Sequence, residues 1–142
     1  MGNVSSKKER LLEMVRRFEG RTYDAHYLAF FECFNSGRFY EAHEVLEQIW
    51  LPQRRQPNGS FYKALIQIAG AFVHLQKGRS QPAGALLRLA KANLEVYPPV
   101  HDGLNLANVR SLIGDWLLLL EKAGSGTNPS GGRIPNPKLG LT

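Results

Sequence analysis

The segment FYEAHEVLEQIWL, residues 39–51, gathers side chains suited to acid–base or ligand chemistry. On a helix, His43 and Glu47 stand one turn apart, as do Tyr40 and Glu44, so each pair can meet as i, i+4 neighbours. Phe39, Ala42, Leu46, Ile49 and Trp50 define an apolar face from whose middle His43 projects, which predicts a buried imidazole. A buried imidazole or carboxylate without a partner is costly. These groups must therefore be satisfied by one another, by neighbouring helices, by water or by a metal. Further along, ALIQIAGAFVHLQKG puts Gln67 and His74 two turns apart, on the side that also carries Gly70 and Ala71. If the two helices run antiparallel, Gln67 and His74 face Tyr40, His43, Glu44 and Glu47 and complete a buried polar seam. Alternatively, they share with Lys63 the narrow exposed stripe of their helix. Spacing alone leaves both open.

Three chemistries compete for these residues. His43 and Glu47 have ligand spacing and His74 would make a third ligand, a mixed nitrogen and oxygen set suited to zinc, iron or manganese. The chain lacks the His-Glu-x-x-His of zinc proteases and the paired Glu-x-x-His of carboxylate-bridged di-iron bundles, so a satisfied hydrogen-bond network is favoured and no metal or cofactor is implied. Cys33 sits among Phe30, Phe31 and Phe34 and reads as a small core residue rather than a nucleophile. Neither a glycine-rich phosphate loop nor a Gly-x-Ser-x-Gly elbow is present.

The elements that must position these groups are helical. MGNVSSKKERLLEMVRRFEG has Ser5 or Ser6 as a cap, followed by Leu11, Leu12, Val15 and Phe18 at helical spacing. DAHYLAFFECFN, residues 24–35, predicts a second helix closed at Ser36-Gly37, and the motif helix follows through a short corner. PQRRQPNGS, residues 52–60, is a loop by composition. The run from Phe61 to Gly78 is apolar around most of its circumference and predicts a central helix. In SQPAGALLRLAKANLEVY, Leu86, Leu87, Ala90, Leu94 and Tyr97 form one stripe, ended by Pro98-Pro99. After the turn-like HDG, the last helix places Leu106, Val109, Ile113, Trp116, Leu117 and Leu120 in register. Leu118 and Leu119 broaden that face and point either to deep burial or to a subunit contact, the latter making a homodimer. No alternating run requires a strand.

The corner and helix NSGRFYEAHEVLEQIW, then ALIQIAGAFVHLQKG and GALLRLAKANLEVYPP, together resemble the domain of unknown function 309 family of small helical proteins, over roughly Ala25 to Trp116. Its pattern falls on Tyr40, Glu41, His43, Glu44, Trp50, Gln67 and His74. The resemblance implies an all-helical fold and no established activity, and it favours placing Gln67 and His74 in the polar seam.

The 142 residues, 43% of them hydrophobic, suffice for one domain with its own core. Nine Lys/Arg against eight Asp/Glu in residues 1–60, and nine against four in the remainder, place the net +6 charge almost wholly in the second half. Lys77, Arg79, Arg88 and Lys91 are spaced apart without interleaved aromatics, so a solvated face is favoured over a nucleic-acid surface. The lone Cys33 and the want of a transmembrane or secretory segment fit a soluble, cytoplasmic protein. The opening also fits an N-myristoylation pattern at Gly2, with Ser6, Lys7 and Lys8, which is set aside because it is short and read only by a eukaryotic enzyme. The expectation is an all-α domain over residues 5–122, a single bundle of about five long helices with Phe39, Trp50 and Trp116 anchoring its core, followed by a disordered Gly/Pro-rich tail over 123–142. Its expected role is a non-enzymatic binding or scaffold module for a protein or small molecule. The rivals are an enzyme or metal protein built on His43, Glu44, Glu47 and His74, and a nucleic-acid binder using the basic second half.

Overall fold

Because residues 61–75 are apolar on almost every side, the helix they form has to be covered on almost every side, and the architecture follows from that need. A computed structural model describes residues 3–123 and 137–141. In chain order the elements are α1 (Asn3–Arg16), α2 (Ala25–Asn35), α3 (Phe39–Gln53), α4 (Gly59–Gln76), α5 (Ser80–Leu94), β1 (Val100–His101), β2 (Leu104–Asn105) and α6 (Leu106–Ala123). Helix α4 lies between α3 and α5; α2 packs on α3, α6 on α5, and α1 on α2. Ring contacts carry α4 further. Phe61 meets Tyr27 of α2 at 5.9 Å between centroids, and Phe72 meets Trp116 of α6 at 5.2 Å.

Two corners of the same design set the helix order. At the end of α2, Arg38 N–H donates to the Cys33 carbonyl at 2.9 Å and Gly37 N–H to Phe34 at 3.1 Å. At the end of α4, Arg79 N–H donates to His74 at 2.9 Å and Gly78 N–H to Leu75 at 3.0 Å. Both are Schellman closures, and both need the left-handed glycine that the sequence supplies, Gly37 at φ 78° and Gly78 at φ 72°. Each helix therefore turns back within a few residues. Gln76 Nε2 donates to the Gly37 carbonyl at 3.2 Å at one end of α3 and α4, and Lys63 lies over Trp50 at the other, so these two helices run antiparallel.

Four expectations need correction. The helix α1 starts at Asn3, ahead of the expected serine cap. Residues 100–105 form an antiparallel hairpin with Val100 opposite Asn105 and His101 opposite Leu104, although no strand was expected. Its turn is Asp102-Gly103, with φ 47° and 74°, and Asp-Gly between short extended runs is the signal that a two-residue hairpin carries. Residues 137–141 are not a free tail: Leu139 is buried, its N–H donates to Asn35 Oδ1 and its carbonyl accepts from Asn35 Nδ2, each at 2.7 Å, and Leu141 bridges to Leu104. The rest of the expected tail, 124–136 and 142, and the Gly2 pattern lie outside the described residues.

The fourth concerns the core. Phe34, Phe39 and Phe72 form an aromatic cluster, with Phe39 5.1 Å from Phe34 and 5.3 Å from Phe72, and Trp116 closes it from α6. Trp50 is only half-buried, at the edge, because Val45 rather than Trp50 completes the inward face of α3. Unequal costs follow on truncation. Phe72→Ala should lose about 3–5 kcal/mol in urea unfolding and Trp50→Ala about 1–2 kcal/mol, because only the first empties a closed cavity. An equal or larger loss for Trp50→Ala would show that the edge of α3 has been misplaced.

Candidate functional site

The covering of α4 is incomplete along one stripe. Lys63, Gly70 and His74 recur there at helical spacing and are neither buried nor fully exposed, while the rest of α4 from Phe61 to Leu75 is buried except Val73. Helices α3 and α5 stand on either side, so the stripe becomes the floor of a groove of about 500 Å³. Tyr40 and His43 line it from α3, Leu86 and Leu89 from α5, and Ile66, Gln67 and Val73 complete the lining from α4. Tyr40 and Leu89 form an open rim, with about half of each residue exposed. Gly70 keeps the floor deep, since a Cβ there would stand 3.3 Å from Leu86 Cδ1.

Gln67 and His74 line the same groove as Tyr40, His43 and Lys63, so the exposed stripe and the polar edge meet there. This arrangement corrects the expectation of a buried seam. The inward face of α3 is centred among Phe39, Ala42, Val45, Leu46 and Ile49, which puts His43 roughly a quarter turn to its side. His43 is accordingly half-buried, at the groove wall. Tyr40, His43, Gln67 and His74 are brought together, whereas Glu44 and Glu47 do not line the groove. His43 Nε2 and Glu47 Oε2 are 3.9 Å apart, too far for a hydrogen bond, so the carboxylate does not orient the ring.

The polar groups of the groove are unequally satisfied. Gln67, only 8% exposed, accepts from Asn93 Nδ2 through its Oε1 at 2.9 Å, which fixes the amide and turns its NH₂ to further acceptors. Nδ1 of His43 and Nδ1 of His74 are both out of solvent, with no hydrogen-bond partner among the described residues. Burial, followed by the charges of Arg79 and Lys77, holds the His74 pKa below the ordinary histidine value. Both effects favour the neutral imidazole. At one end, Lys63 Nζ lies 4.3 Å from the centroid of the Trp50 ring, a cation–π contact that gives the half-exposed tryptophan its role.

Two rival chemistries lose their geometry. Among the described residues, no three His, Cys, Asp or Glu side chains converge as a metal ligand set, so His43, Glu47 and His74 do not form one. Cys33 is fully buried, its Sγ 2.9 Å from Met14 Sδ, and burial pushes its thiol pKa up to about 11. That is a core thiol, not a nucleophile. Of the basic residues, Arg110 is occupied structurally, donating to the carbonyls of Leu94 at 2.8 Å and Tyr97 at 3.2 Å where α5 ends.

A second polar cluster was not foreseen. Asn58 Nδ2 donates to Asp102 Oδ2 at 2.7 Å, Asn58 Oδ1 meets His101 Nε2 at 2.8 Å, and Tyr27 OH donates to the Asp102 carbonyl at 2.9 Å. Tyr97 OH accepts from Phe61 N–H at 2.9 Å and donates to Pro57 O at 2.7 Å, capping the start of α4. Its groups are paired, and it clamps the hairpin to α2 and α4. The signals were the Asn58-Gly59 and Asp102-Gly103 pairs, legible as turns but silent on what the asparagine would bond.

Comparison with known proteins gives a match to one family over part of the chain and no activity. The family model described as Domain of unknown function (DUF309) matches residues 27–93, from the first turn of α2 to near the end of α5, and bears out the resemblance drawn from the motif. An uncharacterized protein of Aquifex aeolicus (strain VF5) is 28% identical over 85 residues, which is 60% of this chain but only 26% of that relative. The chain thus spans about a quarter of the relative's length. No solved structure matches, and among the described residues no helix is long and apolar enough to cross a membrane.

The depressed His74 pKa has a thermodynamic consequence. The unfolded chain binds a proton at His74 more readily than the folded one, so stability is complete above about pH 6.5 and falls as the pH drops from there towards the folded-state pKa. Urea unfolding of wild type and His74→Gln between pH 7.5 and 5.5 should show a steeper acid loss in the wild type. Parallel curves would mean that His74 titrates normally and is not held neutral by the groove.

Proposed function

Proceeding from a chain that carries a domain of unknown function 309 region, we propose that it is a binding module whose working surface is the groove along α4. One observation carries this reading: an apolar wall from Ile66, Val73, Leu86 and Leu89 faces a polar edge from Tyr40, His43, Gln67 and His74 in a single concavity. Small-molecule sites have this composition and size, mostly apolar with a few fixed polar groups in roughly 300–1,000 Å³. Binding is favoured over catalysis because His43 has no orienting hydrogen bond to Glu47 and the one thiol is buried in the core.

Gly70 provides the test. A helix-interior glycine costs roughly 1 kcal/mol relative to alanine, so an open floor is kept at the expense of stability. Gly70→Leu should fill the groove against the flexible end of Leu86 while leaving the melting temperature equal to or above that of the wild type. Small amphipathic compounds that raise the wild-type melting temperature should then lose their effect on the variant. The reading fails if no compound of a diverse panel stabilises the wild type, or if the variant responds to the same compounds equally.

A further inference from the structure

The charge and donor pattern of the groove narrows its ligand, on the assumption that the groove is the binding surface. Among the described lining residues Lys63 alone carries a fixed charge, and no carboxylate lines the groove. Its ammonium group is not a freely swinging one, because it rests 4.3 Å from the Trp50 ring centroid. Gln67 follows one turn later on the same side of α4. With its Oε1 committed to Asn93, that amide presents N–H donors, so two adjacent positions offer donors at the same end. Beyond them, Gly70, Val73, Leu86 and Leu89 offer no charge, and His74, eleven residues from Lys63, stands about 16 Å along the helix.

We infer that the groove takes a small monocarboxylate with an extended apolar body, its carboxylate between Lys63 and Gln67 and its body along Gly70 towards His74. A carboxylate has two oxygens, one for the ammonium and one for the amide, and its single charge matches the single cation. A phosphate monoester would bring nearly two negative charges to one lysine, and an amine would be repelled by it. An alcohol of the same length fills the apolar part but forgoes the charge-assisted hydrogen bond, which is the stronger kind.

Titration calorimetry of the full chain at low salt, with decanoate, decanol and decylamine as probes, tests this. Decanoate should bind with a stoichiometry of one, at least tenfold more tightly than decanol, with decylamine undetectable. Lys63→Gln should weaken decanoate about tenfold or more and leave decanol unchanged, and Lys63→Arg should keep decanoate binding within a few-fold. Lys63 is partly exposed, so both variants should fold, which circular dichroism checks. If decanoate and decanol bind equally, or Lys63→Gln has no effect on decanoate, the carboxylate inference is overturned while the groove reading stands. Decylamine binding most tightly would overturn the inference as well. If none of the three binds while other compounds of a diverse panel stabilise the wild type, the inference alone is overturned; if nothing in the panel binds, the groove reading falls with it.

Discussion

The burial of α4 is the constraint on which the rest of the structure depends. Twelve of its eighteen residues are buried, and α2, α3, α5 and α6 each cover some sector of it, while α1 packs on α2. Helices α3 and α5 supply most of that cover, α2 reaches α4 through Tyr27 and Phe61, and α6 reaches it through Phe72 and Trp116. Two flanking cylinders cannot close over a third completely. The uncovered strip is where Lys63, Gly70 and His74 fall, and the small residue in the middle makes the strip a groove rather than a ridge. The candidate site is thus a geometric remainder of core formation, furnished with polar groups.

Local devices hold this arrangement in register. The matched Schellman corners after α2 and α4 bring α3 back along α2 and α5 back along α4, so the walls of the groove are set by two turns of the same kind. At the other end of α4, the Asn58, His101, Asp102 and Tyr97 cluster does what a helix-capping side chain would ordinarily do, since Asn58 itself makes no side-chain cap. Its hydrogen bonds join residues up to 75 positions apart in sequence. Leu139, returned to Asn35, adds a further long-range tie at the far end of α2.

The sequence was most legible where periodicity and composition spoke together. The closure at Gly37 and Gly78, the nearly all-round burial of α4, and the core faces of α5 and α6 could be read because glycine and helical spacing report local backbone and local burial. Spacing places His43 too deep because the wheel of α3 counts Trp50 as inward and omits Val45, and the direction of the face cannot be resolved further without the neighbouring helices. Asp102-Gly103 is legible as a turn but not as a hairpin, since strands of two residues have no period to detect. Leu139 docks through one buried side chain and one asparagine over a hundred residues away, a partnership no local pattern encodes. For the groove, the residue types were visible and their grouping was not: Gln67 and His74 could be assigned to a seam or to a stripe until α5 was seen to leave that side of α4 open.

Where a ligand makes its contacts is the most direct measure of this account. Methyl-labelled protein, with the Ile, Leu and Val signals assigned, should be titrated with a binding amphipathic compound and followed by heteronuclear NMR. The largest shifts should fall on Ile66, Val73, Leu86 and Leu89, with the exposed Leu118 and Leu119 of α6 unmoved. Shifts concentrated on Leu118 and Leu119, with the α4 and α5 methyls unchanged, would contradict the groove reading and place the working surface on α6.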